Sequence, residues 1–184
     1  MKIGVCGAQS VGKTTLLNAL RSERVFKGYS ICNEVTRTVK SWGQSINEGG
    51  TDLTQRMIML LHLENVTLHD NMITDRTALD CLVYARYLHK QQQLDASSVL
   101  YCNEMFWKIW PQYDAVFFIK PEFCIEDDGV RSVSVQFRDQ IQKEFVQVIE
   151  ELELYKDRVY YLTGSVAQRV NQVLTVCKEN YNVY

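Results

Sequence analysis

Several classes of function are excluded by what this 184-residue chain lacks. There is no basic excess: 20 Lys and Arg against 22 Asp and Glu leave a formal charge of −2. That balance gives no support to extended DNA or RNA binding, although net charge says nothing about a local basic groove. There is no Cys-x-x-Cys pair. The six cysteines (Cys6, Cys32, Cys81, Cys102, Cys124, Cys177) are scattered, mostly inside apolar runs, and none stands near a histidine at zinc-ligand spacing. They read as buried free thiols. No apolar run approaches the ~18 residues of a membrane span, and no signal peptide precedes the first apolar stretch, so a reducing cytoplasm is the expected compartment. Internal repeats and low-complexity tracts are also missing. The 46% hydrophobic and 23% charged content is that of an ordinary globular protein. The length suits a single domain over residues 1–184, with room for a small mobile insert.

The feature that carries chemistry is Gly7-Ala8-Gln9-Ser10-Val11-Gly12-Lys13-Thr14, followed by Thr15. It has the spacing of a P-loop. Gly7 and Gly12 let the backbone turn tightly and approach phosphate oxygens, and successive N–H groups with the start of the following helix surround the anion. Lys13 can reach the outer phosphates, and Thr14 can offer its hydroxyl to Mg2+. The context is the confirming one, since the apolar run Lys2–Cys6 precedes the loop and helical spacing from Thr14 to Leu20 follows it. The expected cofactors are ATP and Mg2+.

Beyond the loop, strands and helices alternate. Tyr29–Asn33, Asn71–Asp75, Asp114–Ile119 and Arg158–Leu162 read as further strands. Helical patterns cover Val35–Ile46, a segment capped by Thr51-Asp52, Ala78–Leu88, Ser97–Ile109, Ser134–Leu152 and a last stretch from Gly164-Ser165 to about Cys177. This order predicts an α/β, three-layer P-loop NTPase fold with a five-stranded parallel sheet. Residues 121–138 are acidic at first, then contain Gly129, Arg131 and Arg138, and are expected to form a short lid hinged at Gly129. Ala78–Ile109 carries enough apolar and aromatic residues to form a homodimer face, or simply to cover the sheet. His62, His69 and His89 are expected on the surface, with no metal role.

Among P-loop proteins, a GTPase switch would need an Asn-Lys-x-Asp guanine motif and an Asp-x-x-Gly, and neither is found. A motor-type ATPase would end its acidic strand in an acidic pair. Here that strand ends Thr74-Asp75-Arg76-Thr77. Asp75 can hold the magnesium water shell, and Arg76 can meet phosphate or substrate oxygens.

With these residues in place, the chain resembles the small P-loop kinases, above all the deoxynucleoside kinases and the ribosylnicotinamide-kinase-like group, many of them phage-encoded. The resemblance runs along nearly the whole chain, though only the P-loop is specific by itself. It implies that Glu34, after the second strand, is the base accepting the proton of the substrate hydroxyl. It implies that Asp75-Arg76-Thr77 stands for an acid-Arg-Ser element, that Gln55 reads a nucleobase, and that Arg131 and Arg138 close over the phosphates. Arg37 and Arg76 would grip the substrate, Gly164 and Ser165 would lie near the adenine, and Tyr84, Tyr87 or Trp42 could stack on the base. Asp and Thr replace the family's Glu and Ser in the third-strand element, and Val35-Thr36-Arg37 looks more like the ribosylnicotinamide-kinase-like group. The implied reaction is transfer of the γ-phosphate of ATP to a hydroxyl of a small nucleoside-type or nucleotide-type acceptor. A nucleoside monophosphate (with Arg37, Arg56 and Arg76 as its arginine cluster), a ribosylnicotinamide, or a hydroxyl on a polynucleotide or modified DNA base stay open as alternatives. A nucleotide-dependent binding switch or weak NTPase is the rival of a different class.

Overall fold

The computed structural model describes residues 1–120, 135–152 and 157–181. Among them, seven α-helices flank one sheet of five strands, all parallel, in the order β2-β3-β1-β4-β5. The strands are β1 (Lys2–Cys6), β2 (Ser30–Cys32), β3 (Met72–Asp75), β4 (Ala115–Ile119) and β5 (Val159–Leu162). The helices are α1 (Lys13–Arg21), α2 (Val35–Ser41), α3 (Asp52–Leu68), α4 (Ala78–Lys90), α5 (Ala96–Ile109), α6 (Val135–Glu151) and α7 (Val166–Tyr181). No helix among the described residues is long and apolar enough to cross a membrane.

β1, β3 and β4 form the middle of the sheet because their sequences tolerate burial on both faces. Every residue of Ala115-Val116-Phe117-Phe118-Ile119 is buried, as are Ile3, Val5 and Cys6. The chain runs from β1 out to the edge at β2, returns through β3, and continues to β4 on the other side of β1. Right-handed crossovers then set α1, which packs with α7, on one face of the sheet, and the packed group α3, α4, α5 and α6 on the other. The reversal of direction beside β1 opens a crevice at the carboxyl ends of β1, β2 and β3, where ligands bind in folds of this kind.

Several helix ends have local causes. Helix α2 stops at Ser41, shorter than the pattern through Ile46 predicts, because Gly43 takes φ +80° and turns the chain out. Helix α3 begins with a reciprocal cap, the Thr51 hydroxyl accepting from the Thr54 N–H and the Thr54 hydroxyl accepting from the Thr51 N–H. Helix α4 has the same device in Thr77 and Asp80. The five described cysteines are free and buried; Cys124 lies outside the described residues.

Candidate active site

The glycine loop leaves β1 through Gly7 at φ +138°, where an added Cβ would come within 2.5 Å of the Ile119 carbonyl oxygen. Only glycine fits against the end of β4 there. Ser10 (φ +58°) and Gly12 (φ +89°) complete the turn into α1. Lys13 is buried, and its ammonium donates to the Gly7 and Ala8 carbonyls at 2.8 and 2.7 Å. Burial, and then the charge of Arg76, pull its pKa down to about 8. Thr14 donates through its hydroxyl to Asp75 Oδ2 at 2.5 Å, while the following Thr15 is exposed. Gln9 Nε2, the Ser10 hydroxyl and Asp75 Oδ1 are buried without a hydrogen-bond partner. Such orphaned polar atoms are rare in folded proteins and suit phosphate oxygens and a hydrated cation. Among the described residues no three His, Cys, Asp or Glu side chains could hold a metal unaided. One hydroxyl and one carboxylate, with phosphate and water completing the shell, is the donor set Mg2+ uses in nucleotide sites, and Thr14 with Asp75 fits it.

Arg169, on α7, escaped the sequence reading. It is buried and donates from Nη1 to the Val11 carbonyl at 2.8 Å, with Nη1 only 3.2 Å from where a Cβ on Gly12 would stand. The last helix thereby braces the loop. Gly164 (φ +84°) and Ser165 follow β5, and the Ser165 N–H and hydroxyl form a reciprocal cap with Gln168.

The other side of the crevice is built on Arg76. At the end of β3 its backbone takes φ +74°, a left-handed conformation costly for a residue with a side chain, and its N–H donates to the Val5 carbonyl at 2.9 Å. The buried guanidinium reaches Glu34 Oε1 at 2.5 Å and Asp80 Oδ1 at 3.4 Å, and lies 5.3 Å over the Tyr84 ring. Glu34, also buried, further accepts from the Thr36 hydroxyl at 2.8 Å and from Arg37 Nε at 3.1 Å. Burial alone would raise its pKa, but Arg76 and Lys13 outweigh burial and hold the carboxyl well below the usual range. Arg76 in turn keeps its charge despite burial because Glu34, Tyr84 and Asp80 surround it.

Asp80 was also missed, and it joins the two halves. Oδ2 accepts from the Thr77 N–H and hydroxyl at 2.8 and 3.0 Å, while Oδ1 faces the Gly7 N–H and Arg76 Nη1, both at 3.4 Å. Its place one turn into α4, three residues after a capping threonine, was the available signal.

Beside Arg76 lies a small pocket lined by Arg76, Asp80, Tyr84, Gln55, Ile58 and His62, among others. Gln55 lines this pocket beside Arg76. His62 does not lie on the surface as expected: it is fully buried, because the pocket-facing side of α3 repeats at Gln55, Ile58 and His62. Its pKa falls to about 3, through burial and then the charge of Arg76. His69 is half-buried and His89 exposed, with His89 Nδ1 on the Leu94 carbonyl at 2.8 Å.

Other expected contacts are not made. Arg56 turns to α5, with Nε on the Ser98 hydroxyl at 3.3 Å and its guanidinium over the Tyr101 ring, so it leaves the arginine cluster. Trp42 is 51% exposed and Tyr87 packs on Phe137; neither lines the pocket. Tyr84 does line it, but Arg76 covers its face and Phe137 meets it edge-on, so it serves as a wall. Arg37, partly exposed, stays at the mouth through Glu34. Arg138 sits in the first turn of α6 and pairs with Asp139 at 3.5 Å. Arg131, Gly129 and the expected lid as far as residue 134 lie outside the described residues.

Three comparisons place this geometry among known proteins. Residues 2–169 match the family model described as the AAA domain. No curated protein sequence matches. Solved structures do. A NadR protein in complex with NAD and AMP-PNP superposes with a TM-score of 0.74 at 18% identity, covering 100% of this chain and 50% of that one. A second NadR structure, in complex with NR, gives 0.76 at 19% identity, with 52% of that chain covered, so this chain spans about half the length of those proteins. Deoxyadenosine kinase from M. mycoides, with dCMP and dCDP bound, gives 0.69 at 13% identity, covering 95% of this chain and 97% of that one. YorR protein from Bacillus subtilis, in complex with phosphorylated GDP, gives 0.59 at 15% identity, covering 100% and 99%. The shared architecture is the three-layer α/β fold of the small P-loop kinases.

Proposed function

The chain belongs to the AAA-domain family, and from that premise we propose that it is a Mg2+-dependent kinase, moving the γ-phosphate of ATP to a hydroxyl of a nucleoside-type acceptor. The observation that carries this reading is the junction at Asp80. It faces the Gly7 N–H of the glycine loop, pairs with Arg76 and lines the neighbouring pocket with it, so loop and pocket adjoin at this carboxylate. Arg56 points away, which leaves Arg37 and Arg76 for the acceptor and favours a nucleoside over a monophosphate.

Phosphoryl transfer asks little covalent chemistry of the protein; it asks for alignment and charge neutralisation. Lys13, drawn off the Gly7 and Ala8 carbonyls, neutralises the outer phosphates with the backbone N–H groups of residues 8–14. Thr14 and Asp75 would hold Mg2+, which would supply positive charge to offset that of the phosphates. Glu34 accepts the hydrogen bond of the substrate hydroxyl. Held ionised by Arg76, it is a weak base at the outset. It takes the proton once the hydroxyl oxygen has bonded to phosphorus and become acidic. Arg76, fixed by Glu34 and Asp80, and Arg37 meet the phosphoryl oxygens. Arg138 and Arg131 are the arginines of the proposed lid, Gly164 and Ser165 border the adenine, and Gln55 faces the base.

The test is label transfer from γ-labelled ATP, with Mg2+, to a panel of nucleosides, monophosphates, ribosylnicotinamide and oligonucleotides. Labelled nucleoside, abolished by EDTA, is the expected result. Tight ATP binding with label transferred to nothing would identify a nucleotide-dependent switch instead.

A further inference from the structure

His62 has no role in the chemistry above, yet it is placed as a ligand-reading residue. It lines the acceptor pocket, its side chain is fully buried, and neither Nδ1 nor Nε2 has a hydrogen-bond partner. Burial and the nearby Arg76 charge hold the ring neutral, so it presents one N–H donor and one bare nitrogen acceptor. Its depth follows from the direction of α3. That helix ends at Leu68, just before β3 begins, and Lys2 Nζ at the start of β1 donates to the Val66 carbonyl, so α3 descends from the carboxyl edge of the sheet. Seven residues separate Gln55 from His62, a distance of about 10 Å along the axis. Gln55 therefore stands nearer the carboxyl edge of the sheet, and His62 deeper along the same side of α3.

The charges around the pocket are already matched. Glu34 is taken up by Thr36, Arg37 and Arg76, and Asp80 by Thr77, the Gly7 N–H and Arg76. A cationic ring entering here would find no free carboxylate and would face Arg76. An uncharged ring with donor and acceptor atoms along its edge would find both nitrogens of His62 and the side-chain amide of Gln55, whose carbonyl also takes a contact from Cys81 Sγ at 3.6 Å.

We propose that the pocket takes an uncharged heterocyclic base, inserted edge-first, and that His62 is the specificity-determining residue reading the edge farthest from the reacting hydroxyl. The proposal rests on the kinase reading only for which end of the ligand faces the phosphate loop.

Two measurements on the full chain test it. The first follows the ring nitrogens of the three histidines by 15N NMR while neutral nucleosides of each base and cationic ribosylnicotinamide are titrated in, with and without Mg2+ and AMP-PNP. The His62 pair is expected to shift with a neutral nucleoside, while those of His69 and His89 stay still. The second is His62→Phe, which removes both nitrogens and keeps a planar ring. It is expected to raise the acceptor KM about 10- to 100-fold, as loss of a buried hydrogen-bond partner does, with a smaller change in kcat. Its Tm is expected to be unchanged or higher, since no native hydrogen bond is lost. A lower Tm with unchanged acceptor KM would mark a merely structural residue and overturn the proposal. So would His62 signals that no ligand moves, or ribosylnicotinamide as the preferred ligand. A nucleoside that moves His62 but receives no label removes the kinase reading and leaves the pocket. Label transfer with His62 unmoved does the reverse.

Discussion

Replacing Glu34 by Gln keeps the side chain's shape and removes its charge, which isolates what the carboxylate does for Arg76. In the native protein both partners are buried, and Arg76 Nε sits 2.5 Å from Glu34 Oε1. Breaking a buried pair by removing one member costs about 3–5 kcal/mol. The lower end applies here, because Asp80 stays within 3.4 Å of Arg76 and the glutamine carbonyl still accepts one hydrogen bond. The expected loss is about 3 kcal/mol, or about 6–12 °C in Tm for a domain of this size. The effect has a pH signature. The folded-state pKa of Glu34 is depressed, so its contribution is complete above the unfolded value of ~4.3 and declines as pH falls below that toward the folded value. The gap between wild type and variant should thus be full at pH 7 and narrower at pH 3.5, measured by urea denaturation at each pH. A loss under about 1 kcal/mol at pH 7, or a gap indifferent to acid, would refute the electrostatic account of this cluster. Turnover is a separate readout. The hydroxyl-acceptor role predicts a large fall in kcat with little change in the ATP KM.

Three further outcomes are expected. Because burial brings Lys13 to about 8, ATP affinity measured by calorimetry should weaken about tenfold from pH 8 to pH 9.5, a decline that Lys13→Arg flattens. By the same shift, the unfolded chain holds more protons than the folded one between pH 8 and 10, so stability from this residue rises with pH there. Arg169→Met removes the donor on the Val11 carbonyl and should cost about 10- to 100-fold in ATP affinity while leaving the base-induced shift at His62 intact. Gly7→Ala drives a methyl into the Ile119 carbonyl at a backbone angle alanine avoids, and should lower stability by about 2 kcal/mol or more in denaturation and abolish ATP binding.

The fold was legible because its signals are local. Apolar runs such as Ala115–Ile119 mark buried strands, and Thr51 and Thr77 mark helix starts. That the glycine loop follows β1, that Asp75 ends β3 and that Gln55 lies on α3 were legible because pattern and position coincide. What stayed hidden depends on contacts across the chain. Arg169 is 158 residues from the Val11 carbonyl it supports. His62 reads as an ordinary helix residue until α3 is docked on α4 and α5 and the pocket-facing side is fixed. Arg56, adjacent to Gln55, was misjudged for the same reason, since neighbours on a helix point about 100° apart.

The brace from α7 has a consequence for how the protein comes into being. Nearly everything that shapes the glycine loop is made after the loop itself. Asp75 takes the Thr14 hydroxyl, Asp80 faces the Gly7 N–H, Ile119 abuts Gly7, and Arg169 holds Val11. A nascent chain ending before residue 169 therefore carries the complete motif as text without the site as an object. Nucleotide capture should wait for the docking of α7 and appear with it in one step, which ties phosphate binding to completion of this fold.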